Sequence, residues 1–521
     1  MPMIKNRHRN IIQICFVLFC VATMLFFYWF QSKYDKENDV VSDISIKVLN
    51  EKLHISWVVP SKTKIENIKI DIDDNGKTIK SINVDSNKEI YEIDNLETNK
   101  KYLVIISAIY EDGSLKEVER RDYLYYDEKS LPDLPTFYIN TNSGQDPTVS
   151  YMESPFASTG WGGTSYDNEY LKATMEYHAF GKKIESKLKI RVRGNTSSLD
   201  EKKPYKIVLD NPLDLTNSGN EYSHKKWVLL NAGESLNDYL GKVISKEAGV
   251  EWVTHGIYVN LILNGDYKGI YTLVEPVGQD TSRGLVSKNG IIFENDAFFW
   301  NSNWCYFKLY GQIDEMGYTF KYPNIESSED ERIFEVYKYM QKFVDLLTCN
   351  DESAWDYGDL DNFVSYMIAK DLTANGDAGG TNIYYYIEDF YSDNQEKRKI
   401  KIGPLWDFET LADINMNGEK YINSAYSSQH DVAYLPFVDN EEFKEAYWDK
   451  WNELSGDILD KIYASLDELC SEQGDAINQS RYLNSLRWSD GSYQTLEDEI
   501  DLAKVWLKKQ VEFLNEEMEN R

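Results

Sequence analysis

Hydrophobic positions change their period along this chain. Residues 11–30 (IIQICFVLFCVATMLFFYWF) carry no charge over twenty positions, enough to cross a bilayer as a helix. Lys5, Arg7 and Arg9 precede the run, whereas Lys33 and Lys36 beyond it are offset by Asp35, Glu37 and Asp39. This upstream basic excess predicts a cytoplasmic tail at 1–10, a single-pass anchor at 11–30 and the bulk of the chain outside the cytoplasm. Phe26 to Phe30 form an aromatic belt at the boundary. A cleaved signal peptide is the competing reading, but its apolar core is usually shorter and ends in small residues.

After a charged linker at 33–43, the period becomes two. LHISWVVP (53–60) alternates and is stopped by Pro60; IENIKIDIDDNGKTIKSINV (65–84) is two alternating runs around Asn75-Gly76, a hairpin signal. EIYEIDNLETNKKYLVIISAIYEDG (89–113) adds a turn and a longer strand. Short strands at this spacing predict an antiparallel sandwich over 44–126. Trp57 on an early strand, and Leu96 six residues before Tyr102, resemble a fibronectin type III module. That resemblance implies a spacer or docking module with Tyr102 as a tyrosine corner, and no chemistry.

A linker at 127–139, with Pro132 and Pro135, leads into a second region from about Phe137. KLKIRVRG (187–194), PYKIVL (204–209) and KWVLLN (226–231) read as strands, and VNLILNGDYKGIYTLVEP (259–276) as a hairpin turning at Asn264-Gly265. SLNDYLGKVISKEAG (235–249) reads as a helix ending at Gly249. After about 328 the period is helical. ERIFEVYKYMQKFVDLL (331–347) lines up Ile333, Val336, Met340, Phe343 and Leu347, and DLDNFVSYMIAKDL (359–372) starts at an Asp359 or Asp361 cap. The last 80 residues are almost wholly helical in pattern. A sheet-rich lobe at about 137–276 thus precedes a helical lobe at about 328–518.

Composition narrows the classes. A chain of 521 residues at roughly 150 per domain holds two or three domains. Its 87 acidic against 56 basic residues give a net charge of −31, which excludes a general nucleic-acid-coating role but not a small basic pocket. Five cysteines without a CxxC and six histidines argue against a structural zinc or a disulfide framework.

The densest chemistry runs from Asn375 to Glu409. NGDAGGTNIYYYIEDFYSDNQEKRKIKIGPLWDFE is a polar loop, a strand (383–388), a charged turn (389–398), a strand (399–402) and then Trp406-Asp407-Phe408. A hairpin with ends this close brings Asn382 and Asp407 together, with Asp377 five residues before Asn382. Kinase-type phosphotransfer uses such a set: one Asp for the acceptor hydroxyl, an Asn on the same loop and a later Asp for Mg²⁺. Hard oxygen donors suit Mg²⁺. The bland reading is a chance Asp/Asn spacing and a plain turn at NGDAGG.

IRVRGNTSSLDEKKPYKIVL (190–209), KWVLLN (226–231), VNLILNGDYKGIYTLVEPV (259–277), NGDAGGTNIYYYIED (375–389) and GPLWDFE (403–409) resemble, in order, the spore-coat CotH kinase family. The resemblance covers roughly 140–420. It implies an atypical protein kinase using ATP and Mg²⁺ (or Mn²⁺) to phosphorylate Ser on secreted or coat proteins, so a Ser-rich or other hydroxyl-bearing acceptor. It assigns Asp377 as the catalytic Asp, Asp407 as the metal-binding Asp and Asn382 as the loop Asn. Two positions depart: Asn237-Asp238 stands near where members carry a basic residue, with Lys242 a substitute, and Glu409 stands where many have Asp.

On the nucleotide side, Lys203 and Lys206 point to opposite faces of one strand, so only one of them can reach phosphate; Lys206, which shares a face with Val208, is the favoured one, and a solvated surface Lys is the competing reading. Arg193-Gly194 with Thr196, Ser197 and Ser198 reads as a phosphate-facing loop or a polar turn. Glu275-Pro276 reads as a kinase hinge whose backbone meets adenine, or as a sheet cap. The whole is expected to be multidomain: an N-terminal transmembrane helix, an all-β fibronectin-like sandwich, and an α+β bilobal domain of the atypical protein-kinase type over 137–518. Its partners are ATP, a protein acceptor and the membrane, with no nucleic acid. The competing class is a non-catalytic envelope scaffold or adhesion protein that keeps the fold. Retention of Asp377, Asn382 and Asp407 together speaks for the enzyme.

Overall fold

The computed structural model describes residues 41–520 other than 50, 61–63, 157–161, 166–167, 220, 280–284, 312–315, 376–380 and 409–433. The expected anchor at 11–30 lies outside the described residues, as do Asp377 and Glu409. Among the described residues no helix is long and apolar enough to cross a membrane. The chain divides into two compact units at Lys129, with residues 143–145 falling to the first.

The first unit is all β. Its strands are β1 (Ser42–Leu49), β2 (Lys52–Val58), β3 (Ile65–Asp74), β4 (Lys77–Asp85), β5 (Ile90–Ile93), β6 (Lys100–Tyr110) and β7 (Leu115–Tyr125). They form a three-stranded sheet, β1-β2-β5, and a four-stranded sheet, β4-β3-β6-β7, the two-sheet arrangement of a fibronectin-like sandwich. Asn75 and Gly76 both have positive φ, 49° and 79°, as a type I′ turn requires for strands of right-handed twist. Alternate residues of β2, β3 and β6 are buried, including Ile55, Trp57, Ile70, Ile72, Val104 and Ile106. The Tyr102 hydroxyl accepts the Glu97 N–H at 3.0 Å, tying the approach to β6 onto that strand. Trp57→Ala is expected to destabilise a fragment spanning 41–129 by about 3–5 kcal/mol, as truncating a core Trp does. Chemical denaturation measures it, and unchanged stability would remove Trp57 from the core.

The second unit begins with a closed barrel. Its strands are β8 (Thr136–Thr141), β11 (Leu171–Ala179), β12 (Lys182–Val192), β13 (Tyr205–Asp214), β14 (Ser223–Leu230), β15 (Gly256–Leu263) and β16 (Asp266–Val274). A small ribbon of β9 (Tyr151–Glu153) and β10 (Gly163–Ser165) accompanies it. The barrel order is β11-β12-β13-β14-β16-β15-β8, closed by a parallel pairing of β8 with β15. Alternate side chains such as Phe137, Tyr177, Ile190, Ile207, Trp227, Leu261 and Tyr271 fill it. The expected linker therefore ends earlier than 139: Phe137 and Ile139 are barrel core. Helix α1 (Asn237–Glu247) joins β14 to β15 and stops where Gly249 turns left-handed at φ 84°.

Beyond the barrel, β17 (Ile291–Asp296), β18 (Tyr306–Phe307), β19 (Gly317–Tyr322), β20 (Ile383–Ile387) and β21 (Ile400–Ile402) form an antiparallel sheet ordered β18-β19-β17-β20-β21. Around it pack α2 (Glu331–Thr348), α3 (Leu360–Thr373), α4 (Glu441–Leu454), α5 (Ile458–Trp488) and α6 (Leu496–Glu519). On α2 the expected face is buried at Val336, Met340, Phe343 and Leu347, with Ile333 only partly covered. Asp359, not Asp361, caps α3, accepting the Asn362 N–H at 3.1 Å. Strand β17 has no alternating signature because it is buried at every position.

Candidate active site

The β20–β21 hairpin sets the site. Tyr385 pairs with Ile402 and Ile387 with Ile400, so the chain leaves Asn382, makes the hairpin and returns to Trp406-Asp407-Phe408 beside its start. The Asn382 side-chain amide donates to Asp407 Oδ2 at 3.3 Å, the juxtaposition expected from the hairpin. Both residues have left-handed backbone, φ 59° and 63°, a conformation Asn and Asp tolerate better than most side chains.

Several buried groups hold that backbone. Asn375 donates through Nδ2 to the Asp407 carbonyl at 2.8 Å, and Lys370 Nζ donates to the Asn375 carbonyl at 2.9 Å. Lys370 and Asp371 are both buried near the end of α3, where Asp371 accepts from the Tyr447 hydroxyl at 2.9 Å. The Asn382 N–H donates to Glu294 on β17 at 3.3 Å, and Glu294 pairs with Lys321 of β19. Burial lifts the Glu294 carboxyl above its ordinary range, against the pull of Lys321. Phe408 lies over Gly241 of α1 so closely that a Cβ there would meet its ring at 2.2 Å.

These elements open onto a cavity of about 480 Å³ with three walls. The barrel wall is the loop after β12, Arg193 to Ser197; the second is Leu230–Ala232 with Ser235, Asn237 and Asp238; the third is Thr381, Asn382 and Trp406–Phe408. Gly194, at φ 100°, has no room for a Cβ, which would strike Ser197 Oγ at 2.4 Å. The β10 ribbon pins this loop: Ser165 Oγ donates to the Gly194 carbonyl at 2.7 Å and Thr164 Oγ1 to Asn195 Oδ1 at 2.7 Å. The Thr381 hydroxyl is buried at the cavity with no hydrogen-bond partner among the described residues.

The residues singled out from sequence are not all brought together. Asn382, Asp407 and Arg193 line the cavity. Asp377 lies outside the described residues. Lys206 sits on the outer face of β13, opposite Arg191 on β12 and Val228 on β14, and is not in the cavity lining. Its pKa is pushed down to about 8, first by burial and then by Arg191, Lys226, Arg193 and Lys321. Lys203 precedes the strand, which starts at Tyr205, so a strand-face comparison with Lys206 does not apply to it. Glu275 is buried away from the cavity lining; its Oε1 accepts the His255 N–H at 2.8 Å and its Oε2 lies 2.9 Å from His224 Nε2. Lys242 is held by Asp238 at 2.6 Å, one helical turn back, and Asp238 faces the cavity. Sequence reasoning missed Asn375, Lys370, Glu294, Lys321 and Gly241. The readable signal for Lys370 was a Lys-Asp pair, 370–371, within the apolar stretch 366–372.

A barrel and a helical region meet at this polar cleft, with an amide and a carboxylate paired at a hairpin's ends. The family described as CotH kinase protein matches residues 190–514, more than half of the chain, and the chain belongs to that family. No curated protein matches it. Among solved structures it is similar to a chain described as the twitchin kinase region from C. elegans (Fn31-NL-kin-CRD-Ig26). The identity is 11%, the match covers 91% of this chain and 77% of that one, and the TM-score is 0.19, at which the likeness carries no argument.

The contact of Phe408 with Gly241 yields a test. Ala ordinarily favours a helix over Gly by about 1 kcal/mol. Here Gly241→Ala is expected to push Phe408 aside and weaken any ligand held by Asp407 about tenfold or more. Titration calorimetry with nucleotide and divalent metal reads it; unchanged affinity would show that Phe408 does not set the position of Asp407.

Proposed function

We propose that this chain is a membrane-anchored atypical kinase that transfers the γ-phosphate of ATP to Ser, or another hydroxyl, of a protein acceptor. The observation that carries the reading is the Asn382–Asp407 pair at 3.3 Å inside a cavity whose opposite wall is the Arg193 loop. Among the described residues no group of three His, Cys, Asp or Glu side chains could hold a metal by itself. Two protein oxygens, one from Asp407 and one from Asn382, fit Mg²⁺ (or Mn²⁺), which takes its remaining ligands from water and phosphate. The orphaned Thr381 hydroxyl adds a further polar contact at the same wall. When bound, the metal neutralises charge on the phosphate chain.

In this reading, Arg193 offsets phosphate charge from the barrel side, and Gly194 lets the loop backbone approach closely. Lys206 strengthens the positive potential of that wall from outside the lining. Glu275 keeps its sheet-end role and is not assigned to adenine. Asp377, on the loop that ends at Asn382, orients the acceptor hydroxyl and takes its proton. The hydroxyl oxygen bonds to the γ-phosphorus, the bond from that phosphorus to the β-phosphate oxygen breaks, and ADP leaves.

Two variants separate the roles. Asp407→Ala is expected to abolish metal-dependent ATP binding and transfer together. Asp377→Ala is expected to leave ATP binding nearly intact and to lower transfer about 10²–10⁴-fold, the range of a positioned acid–base group. Labelled ATP and a Ser-rich acceptor report transfer. Transfer at the parent rate by Asp377→Ala would remove its assignment, and a parent protein that bound no nucleotide with Mg²⁺ or Mn²⁺ would favour a non-catalytic scaffold.

The anchor at 11–30 places the catalytic unit outside the cytoplasm in this proposal, with the sandwich as spacer. Protease added to intact cells is then expected to remove most of the chain. Protection until lysis would reverse the topology.

A further inference from the structure

The second wall of the cavity is held from the far end of the chain. Helix α1 starts at Asn237, and its N-cap, Leu236, has no side chain able to accept a hydrogen bond. The Ser235 hydroxyl accepts the Asn237 N–H at 3.1 Å, and the carboxylate of Glu499 on α6, 263 positions along the chain, accepts the Leu236 N–H through Oε1 at 2.9 Å. The Ser235 hydroxyl approaches the same oxygen at 3.5 Å, and the other carboxylate oxygen takes a bond of 2.7 Å from Arg481 on α5. Arg481 is buried, and its second nitrogen donates to the Gln494 carbonyl at 3.2 Å. A negative charge at a helix N-terminus also opposes the positive end of the helix dipole. Ser235, Asn237 and Asp238 line the cavity.

The rest of this wall is tied to the barrel. The Tyr258 hydroxyl of β15 donates to the Ser235 carbonyl at 3.1 Å, and buried Lys202 reaches Glu234 at 2.6 Å. The wall thus has one set of anchors on the barrel and one on the C-terminal helices. Only the second set bonds the N–H of Leu236, the residue at the helix start.

We propose that Glu499, oriented by Arg481, is a positioning residue for the nucleotide site: it fixes the start of α1 and so places Ser235, Asn237 and Asp238 at the cavity. This rests on the kinase reading above for the identity of the ligand, but not for the mechanical claim.

The test uses the full chain and two double variants that leave no buried charge unpaired. Arg481→Met/Glu499→Gln keeps an oxygen for the Leu236 N–H, whereas Arg481→Met/Glu499→Leu has none. ATP with Mg²⁺ is expected to bind the Gln variant within about twofold of the parent and the Leu variant about tenfold more weakly, as loss of a group that orients a site residue does. Hydrogen exchange at residues 236–238 is expected to be faster in the Leu variant than in the Gln variant, with thermal unfolding recorded for both. Equal ATP affinity in the two variants, or equal exchange at 236–238, would overturn the proposal. Should either double variant fail to fold, Glu499→Asp keeps the charge for Arg481 and draws the carboxylate back by one methylene. Faster exchange at Leu236 then supports the proposal and parental exchange overturns it. A parent that binds no nucleotide defeats the kinase reading alone, and the exchange measurement still decides the role of Glu499.

Discussion

Everything at the cavity depends on keeping two consecutive ends of a hairpin in a conformation the backbone does not favour. Asn382 and Asp407 are both left-handed, at φ 59° and 63°, and such residues cost of order 1–3 kcal/mol each, less for Asn and Asp. An isolated loop would relax. Here the carbonyl of Asp407 is bound by Asn375, the N–H of Asn382 by Glu294, and Phe408 is seated against Gly241. Each restraint comes from a different element: the end of α3, strand β17 and helix α1. The carboxylate of Asp407 is therefore presented by agreement among three packed pieces, which is how a side chain is pre-organised for a ligand.

The buried charges make sense in the same frame. Lys370 would be costly to bury alone, but its ammonium donates to the Asn375 carbonyl, the group next to the amide that grips Asp407. Glu294 is the buried member of its own pair: Lys321 reaches it from the exposed side of β19, and Glu294 and Asp296 together hold the Lys321 pKa above normal. Replacing such pairs with apolar side chains often costs little stability. Their value in this fold lies in direction, because a carboxylate or ammonium fixes a backbone group at one place and a methyl group does not.

Local features were legible in the sequence, and non-local ones were not. Asn75-Gly76 and Asn264-Gly265 read correctly as turns because the signal sits in two adjacent residues with positive φ. The meeting of Asn382 and Asp407 was readable because a short hairpin must return the chain to its start. Closure of the barrel was not, since it rests on a parallel pairing of Asn260 with Thr136 that no local pattern encodes. Strand β17 was hidden for a different reason: a strand buried on both faces loses the alternation that betrays it. Lys206 shows the limit of face arguments. Period two puts it on one face with Val208, and the fold makes that face the outside of the barrel, opposite Arg191; whether it lines the cavity depends on packing that the strand itself does not determine.

That outer face bears on how an acidic protein could attract a polyanion. The chain carries a net −31, so its long-range field repels phosphate. Arg191, Lys206 and Lys226 nevertheless gather on adjacent barrel strands, close enough to one another to lower the Lys206 pKa, and no ion pair to any of the three is present among the described residues. Like charges set opposite one another across strands destabilise a sheet. A fold that keeps them beside Arg193, which does reach the cavity, holds positive potential at short range where a Debye length of about 8 Å leaves the distant carboxylates largely screened. Attraction would then act only once an anion is already at the mouth, so selectivity for phosphate would come from the wall it meets and owe little to the field that brought it there.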